Sequence, residues 1–364
     1  MRKISCKLKD FMEKRHLSQY QLAKNTGISV NAIGRLYKEE FDRIDCNTAE
    51  VLCNYFGCDL GDLFIMQAEG MKEDELIKQY DAGKRDFSGV DLGGAILSQV
   101  NLTGVNLTGA NLTGAYLCQS DLSKTNLDQT DLRRADLEGV NLKKATLREA
   151  KLLFAKLVSA NLFCAELTEA DLSQASLQNA ELGWANLSRT VLKEANLDHA
   201  EMVRVNLRGA NLTNAKVRKA NLKFADLRET KLIDTDIADA NLEAACLVRA
   251  DLSNANFSKA RLRKADLSTS NLRCINLTDA DLTDADLTDA DLTDADLTGA
   301  NLTGANLTGA NLTGANLTGV SLRIADLTNA NLDGASLNGA TMPDGKLYQS
   351  LSSEEDRFLE NFSF

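Results

Sequence analysis

The chain has 364 residues, with 41 Lys and Arg against 52 Asp and Glu and a formal net charge of −11. One proline, one tryptophan, two histidines and eight cysteines that never form a C-x-x-C pair argue against a zinc site or a disulfide framework. No stretch approaches the ~18 consecutive apolar residues of a membrane span, and no apolar signal-peptide core stands at the start. A soluble cytoplasmic protein without a membrane partner is expected.

The charge is uneven along the chain. Residues 1–70 hold ten bases and ten acids, while the 31 bases and 42 acids beyond them account for the net charge. Within the first forty residues nine bases face four acids, so a basic segment precedes an acidic body, which hints at two jobs.

Residues 1–66 carry helical punctuation. Ser18-Gln19-Tyr20-Gln21 is a capping-box pattern that opens a short helix with Leu22 and Ala23. Gly27 ends that helix, and Ser29 can cap a second one running Val30-Asn31-Ala32-Ile33-Gly34-Arg35-Leu36-Tyr37. Asn47-Thr48-Ala49-Glu50 starts another, expected to carry Val51, Leu52 and Tyr55 into a core. Two short helices around a glycine turn are a helix-turn-helix pattern.

The run Leu17-Ser18-Gln19-Tyr20-Gln21-Leu22-Ala23-Lys24-Asn25-Thr26-Gly27-Ile28-Ser29 resembles the Cro/CI (Xre) class of DNA-binding domains, and the likeness extends through Leu60-Gly61-Asp62-Leu63-Phe64. The resemblance implies an all-α domain that binds DNA. It places Gln19 near a phosphate, and Ser29, Val30, Asn31 and Arg35 on the groove-facing edge of the recognition helix. Asn31 would read adenine, Arg35 guanine and Val30 a thymine methyl, with Lys24 and Lys38 supplying charge to the backbone. Two features depart from the family pattern. Gly34 stands inside the recognition helix, at a cost of about 1 kcal/mol relative to Ala, and Glu39-Glu40 follow where the family more often has glycine and basic residues. They keep open a second reading, in which the module docks proteins or dimerises.

A linker spans 67–85, within which Glu73-Asp74-Glu75-Leu76-Ile77-Lys78-Gln79-Tyr80 reads as a short capping helix. From Phe87 to Met342 every fifth residue is then apolar, giving 52 centres without a slip of register. Two residues before each centre stands usually Ala, sometimes Val, Thr or Ser. A flat strand would throw successive centres onto opposite faces, and an α-helix would scatter them around its axis. The chain must therefore change direction once per pentad, so that each Leu points back to a common axis and like residues stack in ladders. No proline interrupts the run; Pro343 appears where it stops.

The unit A-[DN]-L-[ST]-x, as in Ala110-Asn111-Leu112-Thr113-Gly114, resembles the pentapeptide-repeat family. That resemblance implies a right-handed quadrilateral β-helix solenoid over 86–342, with four pentads per coil and about thirteen coils, roughly 62 Å long at ~4.8 Å per coil. Solenoids need capped ends, so residues 343–364 are expected to close the far one. There Ser353-Glu354-Glu355-Asp356-Arg357-Phe358-Leu359 reads as a helix, and Phe358, Leu359 and Phe362 could instead form a dimer contact.

With twenty residues per coil, one outward face reads Lys124, Lys143, Lys144, Phe163, Cys164, Trp184, Val203, Arg204, Lys223, Phe224, Arg263 and Lys264, with Glu243 the single acid among them. Bases interleaved with aromatics suit a nucleic acid, a partner protein or the N-terminal domain folded back. Lys143, Lys144, Phe163, Trp184, Arg204, Lys223 and Phe224 are the candidate partner-binding residues. Asp279 to Asp296 place eight aspartates around about one coil, an acidic collar whose carboxylates point apart, which argues against a calcium site. Some pentapeptide-repeat proteins mimic duplex DNA and inhibit gyrase, but a basic stripe and a local acidic belt fit whole-rod mimicry poorly.

His16 and His199 are isolated, Cys118, Cys164, Cys246 and Cys274 point outward by register, and no P-loop or G-x-G-x-x-G occurs. No catalytic residues, cofactor or metal are expected. The expectation is a DNA-binding transcriptional regulator, acting on DNA as a dimer, whose rod engages an unknown protein. The alternatives are a structural scaffold and a topoisomerase-directed DNA mimic.

Overall fold

Residues 2–38, 45–68 and 71–348 are described by the computed structural model, in which the chain separates into two units, Met1–Met71 and Lys72–Phe364. In the first unit, β1 (Arg2–Cys6) is followed by helices α1 (Leu8–Lys14), α2 (Gln19–Thr26), α3 (Val30–Tyr37), α4 (Cys46–Phe56) and α5 (Leu60–Leu63), and then by β2 (Phe64–Ala68). The caps act as the residue types dictate. Ser18 and Gln21 form a reciprocal capping box on α2, and Gly27 closes it in a left-handed conformation with φ of 73°. The Ser29 hydroxyl accepts the Ala32 N–H at 3.1 Å to start α3.

Two expectations for this unit need correction. It is not all-α: β1 and β2 pair antiparallel, Arg2 opposite Ala68 and Cys6 opposite Phe64. Helix α4 starts from an Asp45 cap and buries Ala49, Leu52 and Phe56, while Val51 and Tyr55 are only half-buried. Steps of three and four residues put 49, 52 and 56 on one helical face, and 51 lies off it. Leu8, Met12, Leu22, Ile33, Leu36 and Leu63 complete the core.

The second unit opens with α6 (Glu73–Asp81), whose Leu76 is fully buried. The Glu73 carboxylate accepts the Ile96 N–H at 2.9 Å, and the Tyr80 hydroxyl donates to the Thr103 carbonyl at 3.2 Å, so the helix sits on the first turn of the repeat.

From Asp86 onward each pentad bridges in parallel to the residue twenty further on, from Asp86 with Asn106 to Ser321 with Thr341. Four pentads thus make one turn. The backbone accounting explains the consensus. In the pentad around Leu302, the Leu302 N–H donates to the Ser321 carbonyl of the next turn (2.8 Å), and the Gly304 N–H donates to Arg323 (2.9 Å). Asn301 donates back to Ala280 (2.9 Å), and Ala305 closes a tight turn onto Leu302 (3.0 Å). The fifth donor, Thr303 N–H, has no carbonyl and goes to the Asn301 side chain at 3.2 Å. Asn or Asp before the centre therefore satisfies the one backbone donor that stacking leaves over.

Leu and Ala fill the interior, nearly all with no exposed surface, and Phe257 is the largest fully buried side chain among the described residues. Where Ser or Thr replaces Ala inside, the hydroxyl finds a backbone carbonyl, as Thr125 does with Leu102 (3.1 Å) and Thr235 with Leu212 (2.8 Å). The last centres, Leu327, Leu332, Leu337 and Met342, are only half-buried. After them the chain doubles back, with Thr341 bridged antiparallel to Leu347. The expected terminal helix over 353–359, the Phe358, Leu359 and Phe362 contact, and Glu39-Glu40 lie outside the described residues.

Candidate nucleic-acid and partner interfaces

Helix α3 buries Ile33 and Leu36, which sends Val30, Asn31, Gly34, Arg35 and Lys38 to the opposite arc at 3.6 residues per turn. Val30 is 46% exposed, and Asn31, Arg35 and Lys38 are exposed as well. Ser29 stands at the N-terminus of this arc as the cap, and Lys24 is exposed on α2. Gln19, at the start of α2, is half-buried because its side chain lies over α3. A Cβ built on Gly34 would stand 3.3 Å from the Gln19 Oε1. The glycine in α3 therefore leaves room for the Gln19 amide in the middle of the exposed arc. Tyr20, 71% exposed beside Gln19, is a further surface group on this unit that its sequence position in the capping box did not single out.

The basic, aromatic face of the repeat is organised by stacking between successive turns. The Arg204 guanidinium lies 4.9 Å from both the Trp184 and the Phe224 ring centroids, held between residues one turn below and one turn above. Lys223 stands 5.6 Å from Phe224, and Lys143 5.5 Å from Phe163. Phe163 in turn lies over Gly183, where a Cβ would come within 3.2 Å of its ring. Trp184 and Phe224 remain 56% and 46% exposed, Phe163 and Lys223 are half-buried, and Lys143, Lys144 and Arg204 are exposed. Each such cation–ring contact is worth about 0.5–1 kcal/mol at an exposed site, which orders side chains that would otherwise sample many rotamers.

The electrostatics differ around the turn. On other faces Arg218 pairs with the buried Asp198 (2.8 Å), and Arg228 with Asp226. Burial opposes ionisation of Asp198, but the Arg218 guanidinium and backbone N–H outweigh it and hold the carboxyl below its usual range. On the basic face only Lys223 makes an ion pair among the described residues, with Glu243 at 2.8 Å, and that contact lowers the Glu243 pKa. Sequence register found these columns but overlooked Ile96 and Tyr116, bridged neighbours 68% and 53% exposed. Both occupy the position before a centre that Asn or Asp usually holds, a signal legible in the repeat itself. Phe154, 44% exposed with Arg134 5.8 Å away, makes a similar pair two pentads round the turn.

In the acidic collar the eight aspartates fall into two kinds. Asp281, Asp286, Asp291 and Asp296 accept from the N–H and hydroxyl of the Thr two residues on. Asp279, Asp284, Asp289 and Asp294 adopt left-handed backbone and are exposed. No group of three or more potential ligands that could hold a metal ion occurs among the described residues, and no described helix is long and apolar enough to cross a membrane.

A family model described as Cro/C1-type HTH DNA-binding domain matches residues 7–69. The model for pentapeptide repeats (8 copies) matches successive stretches from 86–123 to 305–344. Among solved structures, the chain is similar to HetL, a pentapeptide repeat protein involved in heterocyst differentiation regulation from the cyanobacterium Nostoc. The identity is 35% over 76% of this chain and 100% of that one, with a TM-score of 0.31. A pentapeptide repeat protein of the Arabidopsis thaliana thylakoid lumen is 33% identical over 29% of this chain and 67% of its own, with a TM-score of 0.22. No curated protein matches.

Proposed function

Because the chain belongs to the pentapeptide-repeat family and carries a Cro/C1-type helix-turn-helix domain, we propose that it is a cytoplasmic, non-enzymatic DNA-binding regulator whose repeat offers a surface to a protein partner. Both families are of non-catalytic kinds. In this reading residues 1–66 bind DNA and 67–85 link and cap. Residues 86–342 form a right-handed quadrilateral β-helix of about thirteen coils, and 343–364 close it. The twenty-residue bridging and the buried Leu and Ala columns support the β-helix.

The observation that carries the DNA reading is the outward arc of α3. Val30, Asn31, Arg35 and Lys38 share one exposed side behind the Ser29 cap, with Gln19 and Lys24 on the helix before it. This is the arrangement in which a recognition helix presents its N-terminal half to base edges. Selection of bound fragments by the full chain, followed by gel shift at low salt, tests it. Arg35→Ala should weaken binding to the selected site by about ten-fold or more while weakening random DNA far less. Absence of any sequence preference, or an unchanged Arg35→Ala, overturns the assignment. Lys143, Lys144, Phe163, Trp184, Arg204, Lys223 and Phe224 are the proposed protein-contact residues. Trp184→Ala should abolish recovery of a protein that the wild-type chain crosslinks in cells; undiminished recovery removes the stripe from the proposal.

A further inference from the structure

The basic face does not end where its bases end. Its column of left-handed corner residues continues from Arg204, Phe224, Ala244 and Lys264 to Asp284, Gly304 and Ile324. Past Met342 the left-handed corner passes to Gly345, and Asp344 is paired with Lys346 at 3.0 Å. In this corner column Arg204 and Lys264 thus fall in one half and Asp284 in the other, with one large apolar side chain, Phe224 or Ile324, in each, while Glu243 and Arg323 beside the column carry the opposite signs. Ile324 is 75% exposed and lies over Gly304, with no described side chain covering it.

We propose that this face is an interface between two copies of the chain, packed antiparallel about a two-fold axis between the Leu262 and Leu282 rows. The proposal rests on reading the stripe as a protein-contact surface and assigns a second copy of the chain to its rows from Met202 onward, leaving Trp184 outside. An axis crossing the face at right angles to the stack keeps each column opposite itself and reverses the order of the rows. It sets Lys264 against Asp284 and Arg261 against Asp281 next to the axis, then Ala244 against Gly304. Phe224 next meets Ile324, and at the ends Arg204 meets Asp344, already paired with Lys346, and Val203 meets Pro343. Every contact occurs twice, so four charge pairs of opposite sign beside the axis and four apolar pairs arise from one register. One juxtaposition is unfavourable, Lys223 against Arg323, and there Lys223 is already neutralised by Glu243 at 2.8 Å. The face spans about 34 Å over eight rows at ~4.8 Å each. It is narrow, below the ~1,200 Å² of a standard interface, so association should be weak and salt-sensitive.

Sedimentation equilibrium of the full chain at low salt tests this. The wild type should show a concentration-dependent dimer. Lys264→Asp or Asp284→Lys alone should each weaken it by about ten-fold or more, because like charges then face each other across the axis. The double variant Lys264→Asp/Asp284→Lys restores opposite signs and should restore the dimer. Both sites are on the exposed surface, and circular dichroism of each variant confirms the fold. A chain monomeric at all concentrations, a dimer indifferent to both single reversals, or a double variant that stays dissociated overturns the proposal. Trp184 lies outside the paired rows, so Trp184→Ala should leave self-association unchanged. Loss of the crosslinked partner with an intact dimer, or the reverse, separates the two readings.

Discussion

The two units solve the same problem, burial of apolar side chains, in opposite ways. In Met1–Met71 each core residue has its own neighbours: Leu22 comes from α2, Ile33 from α3, Leu52 from α4 and Leu63 from α5. In the repeat, Leu182 meets surroundings nearly identical to those of Leu162, one turn away, since every position stacks on its counterpart twenty residues along the chain. A repeated interior frees the exterior. Once Leu, Ala and one Asn or Asp per pentad are in place, the two remaining positions can be Lys, Phe, Trp, Asp or Gly without changing the backbone.

The largest test of this contrast is truncation of each core. Leu52→Ala should cost about 2–5 kcal/mol and lower the melting of the first unit, leaving the repeat's transition in place; Leu182→Ala should do the reverse. Differential scanning calorimetry of the full chain reads both, and one shared transition moved by both variants would contradict the separation. A smaller effect divides the repeat itself. Gly109 and Gly299 have similar left-handed backbone, but a Cβ meets nothing within 4 Å at Gly109 and would stand 2.6 Å from the Asp279 carboxylate at Gly299. Gly109→Ala should cost about 1–2 kcal/mol, and Gly299→Ala measurably more, in thermal melts. Ser18→Ala removes the α2 cap and should cost the first unit about 1 kcal/mol by urea denaturation.

The smallest effect concerns acid. Asp121, Asp131, Asp136, Asp198 and Asp291 all have folded pKa values held down by hydrogen bonds or arginines despite burial. A depressed carboxyl stabilises the fold fully above its unfolded pKa near ~3.9 and loses that contribution as pH falls through the lower folded value. Melting of the repeat should therefore be flat from neutral pH to about 5 and decline below about 4. In Asp198→Asn the decline should be shallower; an identical profile would mean that Asp198 titrates as an exposed group.

Legibility followed the range of the interactions involved. The capping box at Ser18, the Gly27 stop and the Ser29 cap are written within a few residues, and each appears where local rules put it. The α4 face was misjudged at Val51 because its register depends on which side meets α2. The pairing of β1 with β2 joins segments about sixty residues apart, and nothing in either announces the other.

Which columns share a face depended on the four pentads per turn that the bridging shows; for this protein the five-residue period alone determined that the chain must bend once per pentad and which residues face inward. Those results follow from steric periodicity, which is a property of the order of residues. Tertiary structure decided the rest of the surface: that Arg204 is clasped between Trp184 and Phe224, that Gln19 lies over Gly34, and that Arg218 rather than a nearer base neutralises Asp198. These depend on side-chain directions and on distances of a few ångströms between turns, and order along the chain does not specify them.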